Sequence, residues 1–116
     1  MEKFNLSKIR RICCLDIDAY NKTIFAIDDT WKVYPLDSNG NIMHNNMPEL
    51  IDLAIDQNSG LIYGVNVEGI YVCDQNGNIL NFFENKGYPY CIAISSYSNK
   101  IYVTYEHKIC IFQLEF

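Results

Sequence analysis

Two copies of one polar hexapeptide are the first feature of the sequence that could do chemistry. Residues 37–42 read DSNGNI and residues 74–79 read DQNGNI. Both place aspartate and asparagine oxygens in the order that opens a calcium-binding EF-hand loop. Such a loop also needs a carboxylate at its twelfth position, where this chain has Pro48 and Asn85. Because Asn-Gly between apolar segments favours a type I′ hairpin turn, we predict two turns and no metal site.

Other residues with catalytic or ligating chemistry are scattered along the chain. The two histidines, His44 and His107, lie far apart, and the five cysteines form no CxxC pair. No Ser/His/Asp order, P-loop or GxGxxG segment is present. We therefore predict no catalytic residue, no bound metal and no cofactor.

The composition describes one acidic globular domain. The chain has 116 residues, 49% of them hydrophobic, and a formal net charge of −5. An acidic body argues against a nucleic-acid partner, because that binding depends on neutralising phosphates. No segment approaches the roughly 18 apolar residues of a membrane helix, so we expect no membrane partner. Five cysteines, an odd number, favour a reducing compartment, and we expect a cytoplasmic protein.

The chain repeats itself three times. Leu15, Leu53 and Ile92 open matching blocks, offset by 38 and 39 residues in their numbering. Each repeat has room for four short strands, a to d, separated by polar turns. The predicted strands are a over 15–17, 53–55 and 92–94; b over 24–27, 61–65 and 101–105; c over 31–34, 70–73 and 109–112; and d over 42–44 and 79–83.

A four-stranded antiparallel meander that recurs about every 40 residues is typical of a β-propeller blade. We predict an all-β fold with blade 1 over residues 10–47, blade 2 over 48–87 and blade 3 over 88–116, closed by a strand over 2–7. Three blades are too few to close a ring, since propellers have about 4–8. We expect half of a six-bladed ring completed by a second chain, a homodimer with exchanged amino-terminal strands. The alternative is a fragment or subunit of a larger assembly.

Two segments carry a family resemblance. LAIDQNSGLIYGVN at residues 53–66 and IYVCDQNGNIL at residues 70–80 resemble the repeats of the NHL, YVTN and SMP-30-like propeller superfamily. The Trp-Asp pair of WD-type repeats is absent. The resemblance implies a site on the face that carries the longer loops. It also keeps one enzymatic alternative open, a metal-dependent, lactonase-like hydrolase with a divalent cation at an acidic mouth.

The b–c and d–a loops would share one end of each blade, and they hold the richest chemistry. Rigid strands that present variable loops at one end are a common binding scaffold, and every b–c loop here carries an acid. The predicted binding residues are Asp28, Asp29, Trp31, Asn66, Glu68, Tyr88, Tyr90, Glu106 and His107. We expect a non-enzymatic protein–protein interaction or scaffold module with a protein partner.

Overall fold

The structure is a computed structural model that describes residues 3, 6 and 9–114. Its described residues form ten β-strands: β1 Ile12–Asp18, β2 Thr23–Asp28, β3 Val33–Leu36, β4 Asp52–Ile55, β5 Ile62–Val65, β6 Gly69–Cys73, β7 Ile79–Glu84, β8 Pro89–Ser95, β9 Lys100–Tyr105 and β10 Lys108–Gln113. Within this part of the chain, no helix has the length and apolar character needed to cross a membrane.

Each predicted blade is one antiparallel sheet. Blade 1 has the strand order β1-β2-β3, blade 2 has β4-β5-β6-β7, and blade 3 has β10-β9-β8. Strands that are neighbours in the sequence pair with each other, so each sheet is a meander, as the repeats predict. β1, β4 and β8 are the strands a of the three blades, and β7 is strand d of blade 2.

Two predicted strands of blade 1 are wrong in detail. Strand c begins at Val33 and not at Trp31, because Trp31 belongs to the preceding loop. Strand d is reduced to a single bridge between Leu36 and Ile42. The chain leaves the sheet there because the Nε2–H of His44 donates to the carbonyl of Gln75 in blade 2, at 2.8 Å.

The strand predicted over residues 2–7 stays a prediction. Only Lys3 and Leu6 of that range lie within the described residues. Leu6 packs beside Ile9 against a small cluster on the outer side of blade 1.

Apolar side chains of neighbouring blades pack face to face. Alternate residues of a strand point to opposite faces of its sheet, and in blade 2 both faces are apolar. Ile55 and Ile62 meet Phe25 and Ile27 of blade 1. On the opposite face, Tyr63, Val65, Ile70 and Val72 meet blade 3 residues Ile92, Ile101 and Val103. The core therefore lies between the blades.

The two Asn-Gly hexapeptides form turns. In the second copy, the Oδ1 of Asp74 accepts the N–H groups of Asn76 at 2.9 Å and Asn78 at 3.0 Å, and Asp37 does the same in the first copy. Only the glycine has a positive φ, +89° at Gly77. Each turn is therefore a three-residue loop with a left-handed glycine, and not the two-residue type I′ turn that we expected.

A tight approach between Gly64 and Leu50 generates a stability prediction. A Cβ added to Gly64 would collide with the buried side chain of Leu50. We expect Gly64→Ala to lower the free energy of unfolding by about 1–3 kcal/mol through overpacking. Leu50→Ala alone should cost about 2–5 kcal/mol through the cavity that it leaves.

The double variant tests the cause. It should lose clearly less stability than the sum of the two single losses, because Leu50→Ala removes the group with which the new methyl collides. Urea unfolding of the four proteins measures this coupling. Strictly additive losses would show that the two residues do not oppose each other.

Candidate functional site

The b–c loop of blade 1 is built around a buried carboxylate. Asp28 ends β2 with no exposed surface. Its Oδ1 accepts the N–H of Thr30 at 2.8 Å, the hydroxyl of Thr30 at 2.7 Å and the N–H of Lys32 at 3.1 Å. Its Oδ2 accepts the hydroxyl of Tyr34 at 2.9 Å. Asp28 therefore organises the loop and is not presented at the surface.

Burial and hydrogen bonding act on Asp28 in opposite directions. Burial raises the pKa of its carboxyl, whereas the bonds from Thr30, Tyr34 and Lys32 lower it, and the net pKa lies below its ordinary value. The carboxylate is therefore charged at neutral pH, and its charge is used inside the loop.

The same loop holds Trp31 in a strained backbone conformation. Its φ is +70°, in the left-handed region that costs a non-glycine residue about 1–3 kcal/mol. Its N–H donates to the carbonyl of Asp28 at 3.1 Å, and its own carbonyl accepts the N–H of Leu50 at 2.9 Å. The backbone of Trp31 is therefore held in place, while 42% of the residue stays exposed.

Trp31 forms one wall of a groove between blades 1 and 2. The groove, which we call the blade 1–2 groove, has a volume of about 370 Å³. Its lining comes from the b–c loops of both blades, the d–a loop between them and the middle of β6: Trp31, Pro48, Glu49, Ile51, Asn66, Val67, Glu68 and Tyr71. Three of the predicted site residues are therefore brought together here.

Asn66 joins the two loops that form the far side of this groove. Its Oδ1 accepts the N–H groups of Glu68 at 2.8 Å and Gly69 at 3.2 Å, so it shapes its own b–c loop as Asp28 does. Its Nδ2 donates to the carbonyl of Glu49 at 2.7 Å. The Oε2 of Glu68 accepts the hydroxyl of Tyr71 at 3.0 Å. The far wall is thus a connected set of hydrogen bonds.

Five groove residues escaped the sequence prediction: Pro48, Glu49, Ile51, Val67 and Tyr71. The sequence placed the d–a loop around Pro48 at the correct end of the blade, so it contained a signal for Pro48, Glu49 and Ile51. Tyr71 reads as a strand residue in the sequence, and only its hydrogen bond to Glu68 identifies it as part of the site.

The remaining predicted residues lie outside the groove. Asp29 pairs with the Nε of Arg10 at 2.9 Å. Tyr88 and Tyr90 are exposed, with ring centroids 5.6 Å apart. Glu106 and His107 form an exposed pair 3.6 Å apart in the b–c loop of blade 3.

Potential metal ligands do not cluster among the residues that the structure describes. Among residues 3, 6 and 9–114, no group of three His, Cys, Asp or Glu side chains is arranged to hold a metal ion.

The arrangement of the three sheets is similar to that of solved β-propellers. The crystal structure of RRP9 WD40 repeats matches with a TM-score of 0.76 and 14% identity, over 90% of this chain and 36% of that chain. The WD40 β-propeller domain of Doa1 gives 0.74 and 12%, over 90% and 37%. The β-propeller domain of Myceliophteria thermophila Cps50 (Swd1) gives 0.71 and 8%, over 89% and 35%.

The chain folds as three blades of a β-propeller. It spans little more than a third of the length of these propellers, and identities this low establish the fold alone. No protein-family model and no curated protein matches the chain in sequence.

The charged turn at Asp28 generates a pH prediction. A lowered carboxyl pKa contributes stability above the unfolded value of about 4, and this contribution is lost as the pH falls through the folded pKa. We expect Asp28→Asn to lower the free energy of unfolding at pH 7 by about 1–3 kcal/mol, since hydrogen bonds to a charged group are lost. Below about pH 4 the two proteins should converge.

Asp29→Asn is the matched control. This neighbouring acid pairs with Arg10 at the surface, and such pairs contribute less than about 1 kcal/mol. Thermal and urea unfolding from pH 7 to strongly acidic pH would measure both variants. A difference between wild type and Asp28→Asn that grows on acidification would contradict the assignment.

Proposed function

We propose that the protein is a non-enzymatic protein–protein interaction module that binds a partner segment in the blade 1–2 groove. Trp31 carries this proposal, because a partly exposed tryptophan is held in a strained conformation by bonds on both sides. Strain of this kind concentrates at functional sites, and tryptophan is enriched among the residues that dominate binding energy. A volume of about 370 Å³ is within the range of ligand pockets.

The location and subtype are part of the proposal. We propose a cytoplasmic protein, supported by five free cysteines. We also propose an NHL- or YVTN-like propeller subtype, supported by the repeat pattern of residues 53–66 and by the absence of a Trp-Asp pair.

Selection from a display library of short random peptides tests the groove. We expect peptides that bind the wild-type chain to bind Trp31→Gly at least about thirtyfold more weakly, the loss typical of a removed hot-spot residue. Glycine adopts a positive φ without strain, so the variant should keep its fold and its melting temperature.

Tyr97→Ala is the control variant. Tyr97 is a fully exposed aromatic in the a–b turn of blade 3, away from the groove, and its removal should leave binding unchanged. Selected peptides that bind wild type and Trp31→Gly equally well, or the absence of any selected peptide, would overturn the proposed site.

We further propose that the working unit is a homodimer that forms a six-bladed ring. The two outermost blade faces, which we call the end faces, support this proposal. The forward face of blade 3, which points away from blade 2, carries the cross-strand rows Cys91–Thr104–Ile109 and Ala93–Tyr102–Ile111. The backward face of blade 1 carries the rows Leu15–Ala26–Tyr34 and Ile17–Ile24–Leu36.

These end faces repeat the chemistry of the internal blade contacts. Tyr102 occupies the repeat position of Phe25 and Tyr63, which are fully buried at the two internal contacts. Leu15 occupies the position of Leu53 and Ile92, which are buried on the opposite sides of those contacts. The two faces are therefore the two halves of one further blade contact.

Strand geometry supports contact near the ring centre. Between blades, the backbones of β1 and β4, of β4 and β8, and of β5 and β8 come close together, so the blades meet mainly through strands a and b. Leu6 and Ile9 pack with Ile24 and Ala26 of β2 and with Tyr34 and Leu36 of β3 on the backward face. Leu15 near the centre stays 59% exposed.

The proposed number of copies is two. Two sets of the three blades described give six, which lies within the range of about 4–8 blades that propellers use. Two copies related by a two-fold axis would cover all four end faces and leave no open face for a third copy.

Light scattering coupled to size exclusion tests the ring. We expect the wild-type protein to have twice the 13.5 kDa mass of the chain. The variants Leu15→Glu and Tyr102→Lys should be monomers, because each substitution would bury a charge in both interfaces of the dimer. Mixing the two variants should restore the dimer, since one interface then pairs the opposite charges and the other is wild type. Leu80→Lys, on the outer strand β7 and 56% exposed, is the matched control and should stay dimeric.

Thiol alkylation gives an independent readout. Cys91 lies on the forward face of blade 3 and is exposed in the single chain, so the ring should protect it and the two face variants should expose it. Cys73 is an internal control, because burial raises the pKa of its thiol to about 11. A wild-type monomer, or an open-ended series of larger assemblies, would overturn the ring.

A further inference from the structure

Among the described residues, no basic side chain lies within salt-bridge distance of the two acids of the blade 1–2 groove. Glu49 and Glu68 are exposed and line the groove, and within the described residues neither forms a salt bridge. Two basic side chains at the loop that holds Trp31 are engaged elsewhere. Arg10 pairs with Asp29 at 2.9 Å, and the Nζ of Lys32 lies 5.2 Å from the ring centroid of Tyr34.

The backbone at Glu49 and the carboxylate of Glu68 are held at the walls of the groove. The bond from Asn66 to the Glu49 carbonyl joins the two loops that carry them, at 2.7 Å. Tyr71 occupies the Oε2 of Glu68 at 3.0 Å, which fixes that carboxylate and leaves its Oε1 to accept a further donor. The site thus offers one directed acceptor, at Glu68, and negative charge that no described basic side chain pairs with.

Trp31 adds a cation-binding surface to the same groove. The face of an indole ring attracts a cation within about 6 Å. Pro48, Ile51 and Val67 line the groove beside it and supply apolar surface for the methylene stem of a long basic side chain. An indole, two carboxylates and an apolar wall together match a long side chain with a charged end.

We infer that the blade 1–2 groove recognises an arginine side chain of the partner segment. Its guanidinium stacks on Trp31 and donates to Glu49 and Glu68. Arginine fits better than lysine, because its planar group stacks on aromatic rings and presents several donors in a fixed fork. This inference rests on the proposed function, and it adds the chemistry of the partner to that function.

Two peptide libraries that differ only in their central residue test the inference. One library carries arginine at its central position and the other carries citrulline, which has nearly the same shape and no charge. We expect binders from the arginine library to bind at least about tenfold more tightly than their citrulline counterparts, the effect of losing a charged hydrogen bond. Replacement by lysine should give an intermediate affinity.

Variants assign the charge preference to the groove. Glu49→Gln combined with Glu68→Gln should reduce the affinity for the arginine peptides to the citrulline level, while the citrulline affinity stays unchanged. The amide oxygen that Glu68→Gln introduces can still accept the hydroxyl of Tyr71, so the wall keeps its shape. Glu84→Gln removes an exposed acid at the end of β7 that does not line the groove, and as the matched control it should leave both affinities unchanged.

The possible outcomes distinguish the arginine inference from the proposed interaction module on which it rests. Peptides that depend on Trp31 but bind equally well with arginine and citrulline would overturn the arginine inference and leave the proposed interaction module standing. An arginine preference that survives the double glutamine variant would also overturn the inference. Binding that ignores Trp31 altogether would overturn both.

Discussion

The rest of this structure depends on one interaction, the packing of β-sheets whose two faces are both apolar. In blade 2, Ile62 faces blade 1 and Tyr63 faces blade 3, and both are fully buried. A sheet with two apolar faces cannot present either of them to water at low cost, so a blade is stable only between neighbours. The repeat in the sequence, the position of the core and the chemistry of the two end faces all follow from this requirement.

Aspartate and glutamate have different uses in this scaffold. Asp28 shapes a b–c loop, while Asp18 and Asp56 shape a–b turns and also tie blades together. Asp18 accepts the side-chain amide of Gln75 in blade 2 at 2.7 Å, and Asp56 accepts the hydroxyl of Ser96 in blade 3 at 2.7 Å. These carboxylates are occupied by backbone and neighbouring groups. The glutamates of the blade 1–2 groove are longer and reach solvent, so they remain available to a partner.

Prediction from the sequence succeeded where the signal is local and failed where it is not. Strands a and b of all three blades lie where the repeat places them, because alternation and turn residues are written in consecutive positions. Strand d of blade 1 failed because His44 bonds to Gln75, a residue of the next blade. Asp28 was assigned to the exposed site because a sequence does not tell an acid that folds back on its loop from one that points outward.

The sequence by itself determined the sheets, their order in each blade and the end of the molecule that carries Trp31, Asn66 and Glu68. Only the tertiary structure decided that these three residues share one groove with Glu49 and Tyr71. The reason is physical. Strand periodicity is a property of neighbouring residues, whereas the groove depends on how two sheets pack and on bonds such as that from Leu50 to Trp31, which join loops distant in the chain.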